Sequence, residues 1–446
     1  MADWLIRNGT VVTLGARNRV IGDGAVWIRD GSVEAVGKAR TLATRARGAQ
    51  VLDASGGVIM PGFINAHTHL YSAFARGLAL KRVPRDFMGI LKELWWPLDR
   101  ALTAEDLRAS AQVALLDCIR NGTTTVIDHH EGQNSQPGSL DILEKALRRT
   151  GVRGCLCLGV SDRDGKGAEG LQENIRFVEK LRRRRRSDDL VVAMFGLHAL
   201  FTVNKRTLES VVAAANERDL GIHLHVAEDK VDQEINRRRH GMSVVQRLHK
   251  AGGLNARTYA IHCVKVSAGD IKLLADAGAC VVHNPQSNMN NAVGVTPLAR
   301  LLDAGITVGL GTDGMTADMR DDVRACHLLH KHTAGDPSGF MAESCRLLLQ
   351  NNSQVASRVF GRTVGVLRKG ACADVIVLSY DPPTPMTTAN FDSHFLFGLC
   401  GAPVSATMVQ GRLLMRDGTI EGLNEPRVRA EARRRAGSLW RRMGKS

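Results

Sequence analysis

"HTH" at residues 67–69 sets two imidazoles at i and i+2. On a β-strand that spacing turns both side chains to one face, where two ring nitrogens can reach a single ion. Further along, "HLHVAED" supplies His225 with Glu228 three positions on, "AIHC" supplies His262, and "GTDG" supplies Asp313. Three imidazoles and one carboxylate drawn from this set suit one divalent ion, Zn²⁺ first and Fe²⁺ second. H-x-H alone turns up by chance, and a core histidine is its commoner explanation. Order, spacing and placement at strand ends together make the pattern specific.

The elements that must position these residues are legible from residue 58 onward. Short β-like runs recur as "GVIMPGFINAHTH", "TTTVIDHH", "VRGCLCLGVSD", "LVVAMFGLHA", "LGIHLHVAED", "TYAIHCV", "ACVVHNPQSN" and "ITVGLGTDG". Stretches of helical period lie between most of them, such as "TAEDLRASAQVALLDCIRNG" and "KRTLESVVAAANERDLG". Eight strand–helix units over about three hundred residues predict an α/β fold built on a (β/α)8 TIM-like barrel. A doubly wound sheet is the alternative. Nine of the fifteen histidines fall at the C-terminal ends of these runs: His67, His69, His129, His130, His198, His223, His225, His262 and His283. In a barrel those ends form one mouth, where sites are assembled from several strands.

The flanks differ. Residues 1–57 alternate and turn at Asn-Gly and Asp-Gly, and the same character returns in "GVLRKGACADVIVLSYD" and "ATMVQGRLLMRDG". This predicts a small β-sandwich made from both termini, with 1–57 and 363–424 as its halves, 58–362 as the barrel and 425–446 as a basic tail.

Composition is that of an ordinary globular chain, with 44% hydrophobic and 24% charged residues over 446 positions. The strongly apolar run at 190–201 is too short to span a bilayer and contains His198. No basic region followed by an apolar one marks a secretion signal at the N-terminus. Nine scattered cysteines without a C-x-x-C pair suit reduced thiols, so the cytoplasm is the expected compartment. A net charge of +15 comes largely from arginine runs at 182–186, 237–239 and in the tail. With only 4% aromatic residues and no groove-entering helix, these read as solvated helix faces rather than a nucleic-acid footprint.

"GLGTDG" at 309–314 also fits the letters of a dinucleotide loop, G-x-G-x-x-G. Such a loop follows a first strand and has an acidic residue about twenty positions on. Here it follows the last barrel strand, and "LLHKHT" stands where the acid should be. Gly311 and Gly314 are expected to let the backbone bend so that Asp313 faces the mouth.

"PGFINAHTH", "HVAED", "AIHC", "HNPQSN" and "GLGTDG" resemble the successive motifs of the amidohydrolase superfamily, in its one-metal aminohydrolase branch. That branch includes guanine and 8-oxoguanine deaminases, S-adenosylhomocysteine and methylthioadenosine deaminases, and triazine hydrolases. "LWWPLDR", "VIDHH", "ENIRF" and "HNPQSNMNNAVG" look closer still to SsnA-type aminohydrolases. The resemblance covers nearly the whole chain. It implies that His67, His69, His225 and Asp313 bind the metal, that Glu228 shuttles protons and that His262 touches the attacking water. Two-metal members carry a bridging lysine at the fourth strand end, and "VVAMFGLHALF" has none. His198, His283 and Asn288 are expected to bind substrate, and Trp95 or Trp96 to cover a flat ring. His223 reads as a deeper structural histidine, and of the adjacent His129 and His130 only one can face the pocket.

The expected reaction is hydrolytic removal of the exocyclic amino group of a purine- or pteridine-like ring, with release of ammonia. Opening a cyclic amide, or displacing another leaving group, is the alternative. A basic nucleic-acid-binding protein on an inactive barrel is a third reading, and the intact ligand set argues against it. Homo-oligomers are common in the family.

Overall fold

A computed structural model describes residues 3–134, 136–184 and 190–444; Arg185 and Arg186 of the longest arginine run lie outside them. Eight parallel strands run in sequence order around a barrel: Phe63–Thr68, Thr123–His130, Arg153–Val160, Phe195–Ala199, Ile222–Val226, Tyr259–His262, Cys280–His283 and Val308–Leu310. Nearly every residue in these strands is buried, because helices cover the outside and side chains fill the inside. Helix starts are fixed locally: Thr103, Ser243 and Ser267 each form a reciprocal capping box at the head of a helix.

The first and eighth strands share no regular ladder, and side chains complete the closure. The Thr312 and Asp313 amides both donate to the His67 carbonyl at 3.0 Å. Asn65 Nδ2 donates to Thr312 Oγ1 at 2.7 Å. From the helix Asn352–Phe360, Asn352 Nδ2 donates to the carbonyls of Ile64 and Leu310, and its Oδ1 accepts from the Leu310 amide. The seam therefore fixes His67 and Asp313 relative to each other.

Both termini contribute to a second, nine-stranded mixed sheet. Ile6, Val26 and Ile28 from the N-terminal strands share one core with Val375, Val377 and Met408 from the C-terminal ones. Trp27 and Leu5 on the other face pack on Leu42 of the helix Ala39–Arg45. The boundary expected at 57/58 moves. Val58–Pro61 pairs with Trp4–Val12 and Val375–Leu378, and the barrel begins only at Phe63. The run from Val58 to Ile64 is apolar throughout, so periodicity alone could not divide it. Gly62 makes the division: a Cβ there would lie 2.2 Å from Thr124 Cγ2. The two units are joined by a buried pair, Arg153 Nε to Asp374 Oδ2 at 3.0 Å and Nη2 to Oδ1 at 3.2 Å.

The basic tail is also corrected. Residues Glu425–Arg442 form an eighteen-residue helix that packs on Ala104–Arg120. Ala432 and Leu439 are buried, and Trp440 Nε1 donates to the Phe74 carbonyl at 2.8 Å. A narrow apolar stripe among arginines buries this face while the guanidiniums pair with Asp117, Glu425 and Glu431.

Candidate metal centre and active site

The barrel mouth brings His67, His69, His225, Glu228, His262 and Asp313 together, all of them buried or nearly so. His67 Nδ1 is engaged by His223 Nε2 at 2.9 Å, which leaves His67 Nε2 as the free donor. His69 Nδ1 donates to the His129 carbonyl at 2.6 Å, and its Nε2 lies 2.9 Å from Asp313 Oδ1. His67 Nε2 lies 3.7 Å from the same oxygen. One nitrogen each from His67, His69 and His225 fall within 4.8 Å of one another. His67 Nε2 and His225 Nδ1 are buried without a hydrogen bond, which native interiors rarely tolerate. Converging imidazoles, with the far nitrogens of His67 and His69 occupied, plus a carboxylate, fit a divalent ion.

Asp313 stands three residues past the eighth strand in left-handed conformation, φ 54°. Ser287 Oγ donates to its Oδ2 at 2.6 Å and the Gly314 amide to its Oδ1 at 2.8 Å. Burial opposes its charge, but the imidazoles of His67 and His69 beside it hold its carboxyl well below the ordinary range. Neither neighbouring glycine supplies a bend. Gly311 is required for space, since a Cβ would meet the His67 carbonyl oxygen at 2.7 Å. The positive φ belongs to Asp313, and Ala227, His262 and Cys263 are likewise left-handed at the same mouth.

Glu228 faces His262, Oε2 to Nε2 at 3.5 Å, and accepts from Asn291 Nδ2 at 3.2 Å. Burial, and the charge of Asp313 beside it, push the Glu228 carboxyl well above its ordinary value. Burial lowers His262 to about 3, so its ring is neutral. Asn288 Nδ2 donates to His262 Nδ1 at 2.9 Å, and the proton therefore sits on Nε2, aimed at Glu228 and at Asp313 Oδ2, 3.8 Å away.

The amidohydrolase family model matches residues 58–414 of the chain. The chain belongs to the amidohydrolase family. It is 31% identical to a 5-methylthioadenosine/S-adenosylhomocysteine deaminase of Pelotomaculum thermopropionicum over 98% of both chains. It is 33% identical to a 5'-deoxyadenosine deaminase of Methanosarcina mazei, over 99% of this chain and 100% of the other. A zinc-bound adenosine deaminase structure from Xanthomonas campestris superposes with a TM-score of 0.85 at 25% identity, covering 98% of each chain.

Beside the centre of this amidohydrolase lies a cavity lined by His69, His225, Glu228 and Asp313. Of the residues expected to bind substrate, His198 and Trp95 line it, as does Trp96. Trp95 is seated on the Gly314 backbone, where a Cβ would come within 3.0 Å of its ring. His283 and Asn288 do not line it. His283 turns toward the helix Met319–Ala334 and meets His330, Nε2 to Nε2 at 3.0 Å, while Asn288 serves His262. Both barrel faces are buried, so the apolar pattern could not say which way His283 points. His129 and His130 are both buried, and neither lines the cavity. Sequence reasoning missed Ser287, which holds Asp313, and Tyr71, Asp99 and Glu131, which line the cavity. For Ser287 the signal was present in "HNPQSN", one position before Asn288.

Proposed function

We propose that this amidohydrolase removes the exocyclic amino group of an adenosine-like ring by hydrolysis and releases ammonia. The reaction class is that of a family deaminase: hydrolysis of a carbon–nitrogen bond other than a peptide bond. The observation that carries the reading is the juxtaposition of a charged Asp313, a neutral His262 and a Glu228 whose surroundings favour its protonated form.

His67, His69, His225 and Asp313 would hold a divalent ion, proposed as zinc, which supplies a water activated for attack at neutral pH. Asp313 stays ionised and takes a proton from the attacking water, its orientation held by Ser287. Glu228 gives its proton to the ring nitrogen beside the carbon under attack and recovers one from the hydroxyl of the adduct as the carbonyl forms, while the proton that Asp313 took from the water passes to the departing ammonia. His262 presents Nε2–H to the developing charge. Trp95 and Trp96 offer flat apolar surface to the ring. Nine buried cysteines support a cytoplasmic setting, the proposed compartment.

The test is elemental analysis of wild type and Asp313→Ala, alongside ammonia release from adenosine, 5'-deoxyadenosine and 5'-methylthioadenosine. About one zinc per chain in wild type, lost in the variant together with ammonia release, is expected. A metal-replete enzyme that releases ammonia from no adenosine-like ring overturns the substrate class. Failure to take up metal overturns the mechanism.

A further inference from the structure

A second group of metal-binding side chains meets away from the mouth. His283 ends the strand Cys280–His283 and turns from the cavity to the helix Met319–Ala334. Cys326 and His330 stand four residues apart on that helix, so one helical face carries both. One ligand atom from each of the three residues falls within 4.8 Å of the others. The two imidazoles are closer still, Nε2 to Nε2 at 3.0 Å. All three residues are buried, none of them lines the cavity, and deamination uses none of them.

Two imidazoles and a thiolate form a ligand set that zinc accepts, with softer character than the set at the mouth. Two nitrogens at about 2.0–2.1 Å from one tetrahedral zinc stand about 3.4 Å apart, so a small outward shift of this pair admits the ion between them. A pair of imidazoles joined by one hydrogen bond has no use for a sulfur at the third corner, whereas a thiophilic ion does. Neighbouring groups orient the donors. Ser344 Oγ lies 3.4 Å from Cys326 Sγ, and the Phe340 ring centre lies 5.4 Å from that of His330. Gln286 Nε2 donates to Asp322 Oδ2 at 2.8 Å, which ties the same two segments one helical turn before Cys326.

We propose that His283, Cys326 and His330 form a second zinc site, with water as the fourth ligand, that clamps the seventh barrel strand to the helix Met319–Ala334. The Cys326 thiol gives its proton to solvent as the bond from zinc to sulfur forms. The strand leads directly into Pro285–Asn290, so the clamp braces the segment that carries Ser287 and Asn288. With three protein ligands against the four of the mouth, this site fills after it, when metal is in excess. Its occupancy does not depend on the reaction at the mouth.

The experiment uses the full chain produced with cobalt in place of zinc and dialysed against a small excess of Co²⁺. A cobalt–thiolate bond absorbs in the near ultraviolet, and the ligands at the mouth carry no sulfur, so that band reads this site alone. Wild type should show the band and hold about two cobalt ions per chain. Asp313→Ala should hold about one and keep the band. Cys326→Ser should lose the band and bind zinc at this site at least about tenfold more weakly, measured by chelator competition. His330→Asn should weaken zinc binding in the same way, and it carries the test if the first variant does not fold. A second equivalent of zinc should raise the melting temperature of wild type and not of either variant. No band in wild type, a band that survives in Cys326→Ser, or zinc binding beyond the first equivalent that is unchanged in both variants overturns the site and leaves a hydrogen-bonded histidine pair.

Discussion

Asn288→Asp replaces one amide by a carboxylate of almost the same shape and should disable His262 without touching a metal ligand. In the native protein Asn288 Nδ2 donates to His262 Nδ1, which forces the ring proton onto Nε2. A carboxylate at 288 can only accept, so the proton moves to Nδ1. Nε2 then presents a lone pair toward Glu228 Oε2 at 3.5 Å and Asp313 Oδ2 at 3.8 Å. The site loses a preorganised donor where charge develops, which is worth about 2.7–4 kcal/mol, or about 10²–10³ in kcat. KM should change little, because Asn288 does not line the cavity. The assay is steady-state ammonia release from adenosine by zinc-loaded enzyme, with zinc content and melting temperature measured on the same preparation. A variant with full zinc and a native melt should show that drop. If its kcat stays within about threefold of wild type, the tautomer argument is wrong and His262 is no donor.

Glu228→Gln keeps the hydrogen bond to Asn291 but cannot transfer a proton, so kcat should fall by about 10²–10⁴ at unchanged metal content. Because burial and Asp313 raise the Glu228 pKa and its protonated form does the work, wild-type kcat/KM should decline as pH rises through that raised value. The variant should lack this limb; a limb that persists assigns it elsewhere. Asp374→Ala removes the carboxylate paired with the fully buried Arg153 guanidinium and should lower stability to urea by about 3–5 kcal/mol, whereas a loss below about 1 kcal/mol would show that the barrel-to-sheet joint lies elsewhere. The hydrogen bond from Arg120, with help from Arg429, holds Glu425 at about 2 against an ordinary 4.5. Its contribution is present above pH 4.5 and fades as pH falls toward 2; screening limits it to about 1 kcal/mol. Glu425→Gln should therefore melt below wild type at pH 7, with the gap narrowing below pH 4.5, and a gap independent of pH would contradict the assignment.

Much of the site was readable because metal chemistry is demanding about residue type and strand geometry about spacing. Period-2 placement in "HTH" and the recurrence of polar residues at strand ends pointed to His67, His69, His225, His262 and Asp313 before any contact was known, and the family resemblance chose the ligands among them. Direction was not readable where both faces of a strand are buried. His283 and Asn288 sit in the expected segment yet turn away from the cavity, one to His330 and the other to His262. Asn291 and Ser287 serve Glu228 and Asp313 by hydrogen bonds that only the packed fold creates.

By itself, then, the sequence determined the eight-unit barrel, the terminal sheet and the residues that meet at the mouth. Each of these follows from local period, turn chemistry or ligand type. Tertiary structure alone decided the division at Gly62, the packing of the C-terminal helix and the closing of the barrel through Asn65, Asn352 and the His67 carbonyl. It alone brought Asp99, Glu131 and Arg163 to one wall of the cavity. Those three residues are widely spaced along the chain and fall in no helix or strand period, so their meeting is a property of long-range packing, which no local pattern encodes.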